Sequence, residues 1–221
     1  MQNRMILIGM FDSPFTRRVA ITATLQGLAF EHRNWSVGKD FDRIRDYSPL
    51  GRVPVLVLDD GRALCESALI LDWLDQQAGP ERALLPAQGE ARLAALQLMA
   101  LATGAADKGI HIVIERVFRP EEKRHAPWTD RCLVQLRGAL AELDRACAAR
   151  AGHDWLVGDT MTQADVTVAC YATYVREAVP VALEEFPALC AHVERCEALP
   201  VFRRFYAPFF TPKPTAPVAT A

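Results

Sequence analysis

The feature that most constrains the fold of this 221-residue chain is a proline at the start of an apolar run, Pro54 before Val55-Leu56-Val57-Leu58. The run predicts a β-strand, but proline has no N–H, which excludes it from an ordinary central ladder position. Such a proline lies at a sheet edge or follows a cis peptide bond, and we predict a cis bond between Val53 and Pro54. Either arrangement leaves the backbone of Val53 free to pair with an extended peptide.

A short helical run begins soon after this strand. Glu66-Ser67 precedes Ala68-Leu69-Ile70-Leu71-Asp72-Trp73-Leu74, whose apolar spacing predicts a helix. The unpaired N–H groups and the positive dipole end of its first turn suit a carboxylate. With the free backbone of Val53, these residues predict a pocket for a small extended peptide that carries a free carboxylate.

The N-terminal segment offers a candidate for chemistry at this pocket. Met5–Met10 is a short apolar run of buried-strand type, and a helical pattern starts at Ser13-Pro14. Serine followed by proline is typical of the cap and the first residue of a helix, and capping alone would account for Ser13. The functional interpretation is that its hydroxyl and the helix N-terminus face a thiolate.

The chain changes character near residue 79. Before it, strand-like and helical runs alternate, which is the pattern of an α/β domain. The strand-like runs are Met5–Met10, Phe30–Asn34, Val55–Leu58 and Ala63–Cys65, with a hairpin turn at Asp59-Asp60-Gly61-Arg62. Beyond Gly79-Pro80, which breaks the helix, every predicted element is helical. We therefore expect an α/β domain at 1–79, a linker at 80–90, an all-helical domain at 91–206 and a flexible tail at 207–221.

Composition argues against several classes of protein. The formal net charge of −2 gives no electrostatic case for nucleic acid, and no apolar run approaches the ~18 residues that a membrane span needs. The N-terminus shows no signal-peptide pattern, and the six cysteines form no C-x-x-C motif, so we expect reduced thiols and a cytoplasmic protein. The five histidines are scattered without ligand spacing, which predicts no metal site.

Three further groups are expected to be structural. Thr162-Gln163-Ala164-Asp165 fits the capping pattern [ST]-x-x-[DE], which makes Asp165 a stability residue and not a general base. Trp73 and Leu74 are expected in the core. The pair Arg17-Arg18 is expected to face solvent or a partner subunit and not a substrate.

Four motifs in consistent order resemble those of the cytosolic glutathione transferase superfamily. They are Ser13-Pro14-Phe15, Gly51-Arg52-Val53-Pro54-Val55-Leu56, Glu66-Ser67, and Leu156-Val157-Gly158-Asp159 followed by Thr162-Gln163-Ala164-Asp165. Each motif is weakly specific alone, but the resemblance extends over residues 5 to about 206. It implies an α/β thioredoxin-like N-terminal domain, an all-α helical-bundle C-terminal domain, and a glutathione site between them.

The resemblance also implies roles for individual residues. Ser13 would activate the glutathione thiol, and Val53 beside Pro54 would bind the cysteinyl backbone. Glu66 would face the γ-glutamyl ammonium and Ser67 its carboxylate. The implied partners of the glycyl carboxylate are Arg52 and Lys39. The implied residues of the second-substrate pocket are Phe11, Phe15, Thr103, Ala106 and Ile110. Whether Asp107 contacts glutathione in the neighbouring subunit stays open.

The implied activity is attack of the glutathione thiolate on small hydrophobic electrophiles, with glutathione as co-substrate and no metal. Tyrosine is absent from Met1 to Asp46, which argues against the tyrosine-type members. Serine at position 13 argues against thiol exchange, which needs a cysteine. Two alternatives stay open: a glutathione-dependent isomerase, lyase or peroxidase, and a non-catalytic module that binds other proteins.

The first helix of the second half, predicted from about Gly89 to Val117, suggests a homodimer. Its apolar residues Leu93, Leu96, Met99, Ala100 and Leu101 provide more apolar surface than one intrachain neighbour needs. The same helix contains Gly104 and Gly109, each of which costs roughly 1 kcal/mol relative to alanine. We interpret these glycines as positions where the backbone passes close to a ligand.

Overall fold

The computed structural model of the chain describes residues 5–210 and, within them, four strands and eight helices. The strands are β1 (Met5–Ile8), β2 (Phe30–Arg33), β3 (Val55–Val57) and β4 (Ala63–Cys65). The helices are α1 (Pro14–Leu25), α2 (Phe41–Arg45), α3 (Ser67–Ala78), α4 (Gly89–Val113), α5 (Ala126–Ala149), α6 (Gln163–Ala178), α7 (Pro187–Glu197) and α8 (Pro200–Arg204). The predicted strands are thus present, and three of them end one or two residues earlier than predicted.

The strands form one mixed sheet in the order β2-β1-β3-β4. β1 pairs in parallel with β2 and antiparallel with β3, and β3 pairs antiparallel with β4. The predicted hairpin joins β3 to β4, since the N–H of Leu58 donates to the carbonyl of Arg62 at 2.8 Å. The alternation of strands and helices before residue 79 therefore gives the predicted α/β domain.

Helix α1 is covered on two sides, by the sheet and by α6. One hydrophobic cluster joins Leu7 of β1 and Ile21 of α1 to Val166 of α6 and Phe202 of α8. Nearly the whole length of α6 is buried. The sheet domain and the helical half therefore share a continuous core, and α1 lies at their junction.

The helical half packs α4, α5, α6 and α7 around a second cluster. An apolar stripe on α5 faces it, with Leu136, Leu140 and Leu143 fully buried. In the first half Leu74 is likewise buried, whereas Trp73 is half-buried. None of the helices in residues 5–210 is both long and apolar enough to cross a membrane. All six cysteines are free thiols.

The helix predicted to reach Val117 changes its winding before that point. α4 ends at Val113, and a π-helical turn, Ile114–Phe118, continues the chain. The N–H of Arg119 closes this turn on the carbonyl of Ile114 at 3.2 Å, five residues back. Pro120 follows, and it cannot continue a helical ladder because it has no N–H.

The two glycines of α4 lie in different surroundings. A Cβ at Gly109 would lie 3.1 Å from Val179 Cγ2 and 3.4 Å from Tyr174 Cε1, while Gly104 has no such neighbour within 4 Å. The close approach at Gly109 is therefore to α6 and the residue that follows it, not to a ligand.

We expect Gly104→Ala to raise the free energy of unfolding by about 1 kcal/mol, the difference in helix propensity. Gly109→Ala should gain less than this or lose stability, because the added methyl crowds Val179. Urea denaturation of the two variants under identical conditions measures the difference. Equal stabilisation by both substitutions would contradict close packing at Gly109.

The capping pattern before α6 forms as predicted. Asp165 accepts hydrogen bonds from the Thr162 N–H at 2.7 Å and the Thr162 hydroxyl at 2.9 Å. Its other oxygen accepts the N–H of Leu156 at 2.8 Å. The carboxylate is fully buried and occupied by these donors, which agrees with a structural role.

His192 is buried beside this carboxylate, with Nε2 3.5 Å from Asp165 Oδ1 and 3.6 Å from the Cys196 thiol. Burial lowers the pKa of His192, although the Asp165 charge opposes this, and Arg195 adds to the lowering. The folded protein therefore takes up this proton at lower pH than the unfolded chain. As the pH falls below the ordinary histidine value of about 6.5, the unfolded state gains protons first and stability decreases.

We expect His192→Gln to weaken this dependence on pH. The free energy of unfolding of the native sequence should fall between about pH 7 and pH 5, and that of the variant should fall less. Urea denaturation at several pH values across this window measures both slopes. Identical slopes would show that His192 does not contribute.

Candidate active site

Ser13 caps the N-terminus of α1, as its sequence context predicts. Its backbone is extended, Pro14 is the first helical residue, and Ser13 Oγ accepts the N–H of Thr16 at 3.5 Å, the outer limit of a hydrogen bond. Within residues 5–210 this is the only hydrogen bond of the side chain. The hydroxyl proton is therefore available to an external acceptor at the helix N-terminus, where a negative charge is favoured.

The Val53–Pro54 peptide bond is cis, as predicted, and lies next to the turn that leads into α1. A Cβ at Gly9, whose φ is +137°, would lie 2.8 Å from Val53 Cβ and 2.5 Å from Thr16 Oγ1. Glycine at this position therefore allows the two loops to approach. Among the described residues, no hydrogen bond occupies the backbone N–H or C=O of Val53. Both groups are free to pair with an extended ligand.

Glu66 and Ser67 form the N-terminus of α3 with an unusual backbone. Glu66 has φ 71° and ψ 121°, the only positive φ outside glycine in the described chain. Such a conformation costs of order 1–3 kcal/mol and is typical of binding and catalytic sites. The Glu66 side chain is exposed and makes no capping hydrogen bond. The first-turn N–H groups of α3 thus have no side-chain cap from Glu66.

Arg18 lies directly beneath this helix N-terminus. Its guanidinium donates to Ser67 Oγ from Nε at 3.2 Å and from Nη2 at 2.7 Å, and to Thr167 Oγ1 at 3.4 Å. It also lies over the ring of Tyr171, 5.1 Å from its centroid. No carboxylate of residues 5–210 forms an ion pair with it. A buried positive charge is therefore left facing Ser67.

The expectation that Arg17-Arg18 faces solvent is wrong, because both residues are only 3% exposed. Arg17 forms a paired contact with Glu197 at 2.7 and 2.6 Å and donates to the carbonyl of Phe202 at 3.0 Å. The physical reason is the position of α1 between the sheet and α6, which leaves this part of the helix without a solvent face. One sequence signal of this burial was the run Val19-Ala20-Ile21 directly after the pair, because three consecutive apolar residues cover most of the circumference of a helix.

The residues predicted for the second-substrate pocket do not all come together. Phe15 packs edge-on against Tyr171 at 4.9 Å, and Ile110 borders the same hydrophobic cluster. Thr103 is half-buried on α4, and Ala106 is fully buried within the bundle. Phe11 instead stacks on His32 at 4.0 Å and contacts Phe205, in the cluster of the sheet domain.

The three remaining residues that the sequence singled out are charged. Lys39 and Arg52 are exposed, in the segments before α2 and before β3. Asp107 of α4 has a pKa raised by burial, which the charges of Arg52, His111, Lys108 and Arg18 oppose. Asp107 therefore interacts electrostatically with the sheet domain of its own chain, across the junction with the helical half.

Asp12, immediately before Ser13, is a further residue that the sequence interpretation did not single out. Its Oδ2 accepts the N–H of Phe210 at 3.3 Å, so the described start of the predicted tail lies against the site. The N–H of Phe209 is likewise bound, to Glu177 at 2.8 Å. Residues 207–210 are therefore held by α6 and the site, and the rest of the predicted tail lies outside the described residues.

Comparisons with known proteins agree with the observed fold of two domains. The family model described as the glutathione S-transferase N-terminal domain matches residues 7–82, and that of the C-terminal domain matches residues 105–200. Over 214 residues the chain is 28% identical to the uncharacterized GST-like protein YibF of Escherichia coli, covering 92% of this chain and 99% of YibF.

Solved structures extend the similarity to the whole fold. A glutathione S-transferase from Methylobacterium radiotolerans, in complex with glutathione sulfonate, aligns with a TM-score of 0.85 at 30% identity and covers 99% of both chains. A glutathione S-transferase from Methylobacillus flagellatus with glutathione bound aligns with a TM-score of 0.84 at 26% identity, covering 93% of this chain and 100% of its own. The chain belongs to the cytosolic glutathione transferase superfamily.

Proposed function

We propose that the protein is a glutathione transferase in which Ser13 activates the thiol of bound glutathione for attack on small hydrophobic electrophiles. The strongest support is the junction of Arg18 and Ser67 at the N-terminus of α3. A buried guanidinium that forms no ion pair within residues 5–210, beside a helix N-terminus that Glu66 leaves uncapped, suits the γ-glutamyl carboxylate of the tripeptide. The relatives with bound glutathione or glutathione sulfonate support the same ligand.

The rest of the tripeptide would follow the free surface between α3 and α1. Glu66, which is exposed, would meet the γ-glutamyl ammonium. The unbonded N–H and C=O of Val53, beside Pro54, would pair with the cysteinyl backbone. Arg52 and Lys39 would meet the glycyl carboxylate. This path brings the thiol to the N-terminus of α1 and the hydroxyl of Ser13.

The interactions available at Ser13 are large enough for this activation. A free thiol with a pKa of ~8.5 is only a few per cent ionised at neutral pH, and lowering that pKa by ~2 units requires ~2.7 kcal/mol. A hydrogen bond from Ser13 to the thiolate contributes ~1.5–3 kcal/mol, and the helix terminus adds ~0.3–1 kcal/mol. The thiolate then forms a carbon–sulfur bond with the electrophile, whose leaving group departs with the bonding electrons.

The electrophile would be held by apolar groups at the junction of the two halves. Phe15, Thr103 and Ile110 are partly exposed there and provide contact surface. Fully buried Ala106 shapes the backbone of α4 behind them, and Phe11 supports the loop before Ser13 from the sheet side. Proximity of the two reactants in this space would supply much of the rate enhancement.

Two measurements test the proposed function. The protein should bind immobilised glutathione and should conjugate glutathione to members of a panel of neutral alkyl and aryl halides. Binding without any conjugation would favour the isomerase, lyase or peroxidase alternatives, or a non-catalytic module. Failure to bind glutathione would overturn the proposal.

We also propose a cytoplasmic homodimer formed through α3 and the start of α4. Leu69 of α3 and Leu93 and Leu96 of α4 are 52%, 60% and 40% exposed, and apolar surface of this kind is typical of sites of protein–protein contact. Whether Asp107 then contributes to the neighbouring subunit's site would follow from that assembly.

Light scattering should give twice the single-chain mass of 24.5 kDa. Leu93→Glu combined with Leu96→Glu should reduce the mass to that of one chain, because two charges would be placed in the apolar contact. The matched control is Val134→Glu on α5, where the native side chain is 72% exposed and lies outside the proposed contact. A mass of one chain for the native protein would reject the dimer.

A further inference from the structure

Asp12 presents one carboxylate oxygen that nothing in the described chain satisfies. Its Oδ2 accepts the N–H of Phe210 at 3.3 Å, whereas Oδ1 is buried and has no hydrogen-bond partner among residues 5–210. A buried acceptor left without a donor destabilises the folded protein, and more so when it is charged. An oxygen of this kind in the residue before Ser13 suggests a donor supplied by a ligand.

The position of Asp12 follows from the packing of α1 on α6, which run antiparallel. The Thr22 hydroxyl donates to the side-chain oxygen of Gln163 at the start of α6, and Phe15 packs on Tyr171 further along that helix. Because Asp12 precedes Phe15, it lies against the last turns of α6. The proposed carboxylate site at Arg18 and Ser67 lies nearer the start of α6, beside Thr167. Asp12 thus lies on the opposite side of Ser13, where the second substrate would enter.

The groups around Asp12 include aromatic rings and the Tyr174 hydroxyl, whose pKa is raised by burial and by the charge of Asp12 and lowered by the charge of Arg116. Phe209 packs edge-on against Tyr174 at 5.4 Å. Glu177, an acidic group whose charge acts on Asp12, accepts a hydrogen bond from the hydroxyl of Tyr206 at 2.7 Å and from the N–H of Phe209 at 2.8 Å. None of the ion pairs in residues 5–210 involves Asp12. The Asp12 carboxylate therefore has no ion-pair partner among residues 5–210, and Arg116, whose charge also acts on Tyr174, donates to the carbonyl of Ala178 at 2.6 Å.

The electrostatic environment of the Asp12 carboxylate favours a positively charged ligand group. Burial raises the pKa of Asp12, the nearby backbone N–H groups of Phe210, Asp12 and Ser13 oppose this, and the charge of Glu177 adds to the rise. A carboxylate whose charge is destabilised in this way gains from a cation or an N–H donor and repels a second anion.

We propose that Asp12 is a specificity residue of the electrophile pocket, whose Oδ1 binds an ammonium or other N–H donor group on the second substrate. The preferred electrophiles would then be hydrophobic molecules that carry a cationic or N–H donor group near the reactive carbon. This inference rests on the proposed glutathione transferase function, which named only hydrophobic electrophiles.

The test compares three electrophiles that share one reactive centre and differ in one substituent: an ammonium group, a neutral methyl group or a carboxylate. We expect the native protein to have at least a tenfold higher kcat/KM for the ammonium compound than for the carboxylate compound. Asp12→Asn keeps the shape of the side chain and removes its charge, and it should lower this ratio about tenfold. The matched control is Asp42→Asn, which makes the same charge change at an exposed site on α2.

Binding of S-alkyl glutathiones that end in an ammonium or a carboxylate group provides a second readout independent of turnover. Calorimetry should show preference for the ammonium compound and loss of that preference in Asp12→Asn. A ratio unchanged by the substitution, or an equal effect on all compounds, would overturn the role of Asp12. Failure of the proposed function would give a different result, since no electrophile would then be conjugated. The calorimetric binding ratios would still report on the role of Asp12.

Discussion

Ser13→Ala should lower the rate of glutathione conjugation about ten- to a hundredfold while changing glutathione affinity little. The hydroxyl acts on the thiolate, whereas the affinity would come from Val53, Glu66, Ser67 and Arg18. Loss of a hydrogen bond to a charged acceptor, ~1.5–3 kcal/mol, corresponds to a rate change of that size. Steady-state kinetics measure the rate, and the ultraviolet absorbance of the bound thiolate as a function of pH measures its ionisation.

The capping role of Ser13 must be separated from this effect. The substitution also removes the hydrogen bond to the Thr16 N–H, which is long at 3.5 Å, so the loss of stability should lie near the lower end of the ~0.5–2 kcal/mol usual for caps. Ser13→Gly removes the hydroxyl but costs a helix cap only a few tenths of a kcal/mol, and it should restore most of the stability but not the activity. Full activity of Ser13→Ala with an unshifted ionisation curve would make Ser13 a cap only.

Replacement by methionine should affect mainly stability at Arg17 and mainly glutathione affinity at Arg18. Arg17→Met should lower the free energy of unfolding by about 3 kcal/mol, because it leaves the partly buried Glu197 without its cation. Arg17 lies away from the proposed site, so glutathione affinity should be retained. Arg18→Met removes the positive charge beneath Ser67, and it should weaken glutathione binding about tenfold or more.

Calorimetric titration with glutathione and urea denaturation of both variants separate the two effects, and each variant is the control for the other. Arg18→Lys tests the geometry further, since a lysine keeps the charge but cannot place two N–H groups on Ser67 Oγ. It should recover only part of the affinity. Equal affinities for the native protein and Arg18→Met would remove Arg18 from the proposed site.

Local patterns in the sequence were sufficient to predict the architecture. The apolar runs that became β1 to β4, the hairpin at Asp59-Asp60-Gly61-Arg62 and the helical second half are all properties of short segments. The same holds for the cis bond at Val53–Pro54 and for the cap formed by Asp165. Each of these depends on backbone chemistry within a few residues, which the order of the amino acids specifies directly.

The tertiary structure decided which side chains surround the site. Arg18 reads in sequence as half of a basic pair, and Phe11 reads as a neighbour of Ser13 that faces the same pocket. Packing of α1 between the sheet and α6 buries Arg18 under Ser67, and packing on His32 and Phe205 places Phe11 on the sheet side.

Asp12 shows most clearly which features depend on local sequence and which depend on tertiary packing. Its place before Ser13 is fixed by the chain, but its partner, Phe210, is separated from it by nearly the whole sequence. Elements that are distant in sequence meet only when the two cores form, and burial then determines which polar atoms keep a partner. The sequence by itself therefore determined the fold and the position of the Ser13 hydroxyl at the start of α1, and long-range packing decided the charge environment around that hydroxyl.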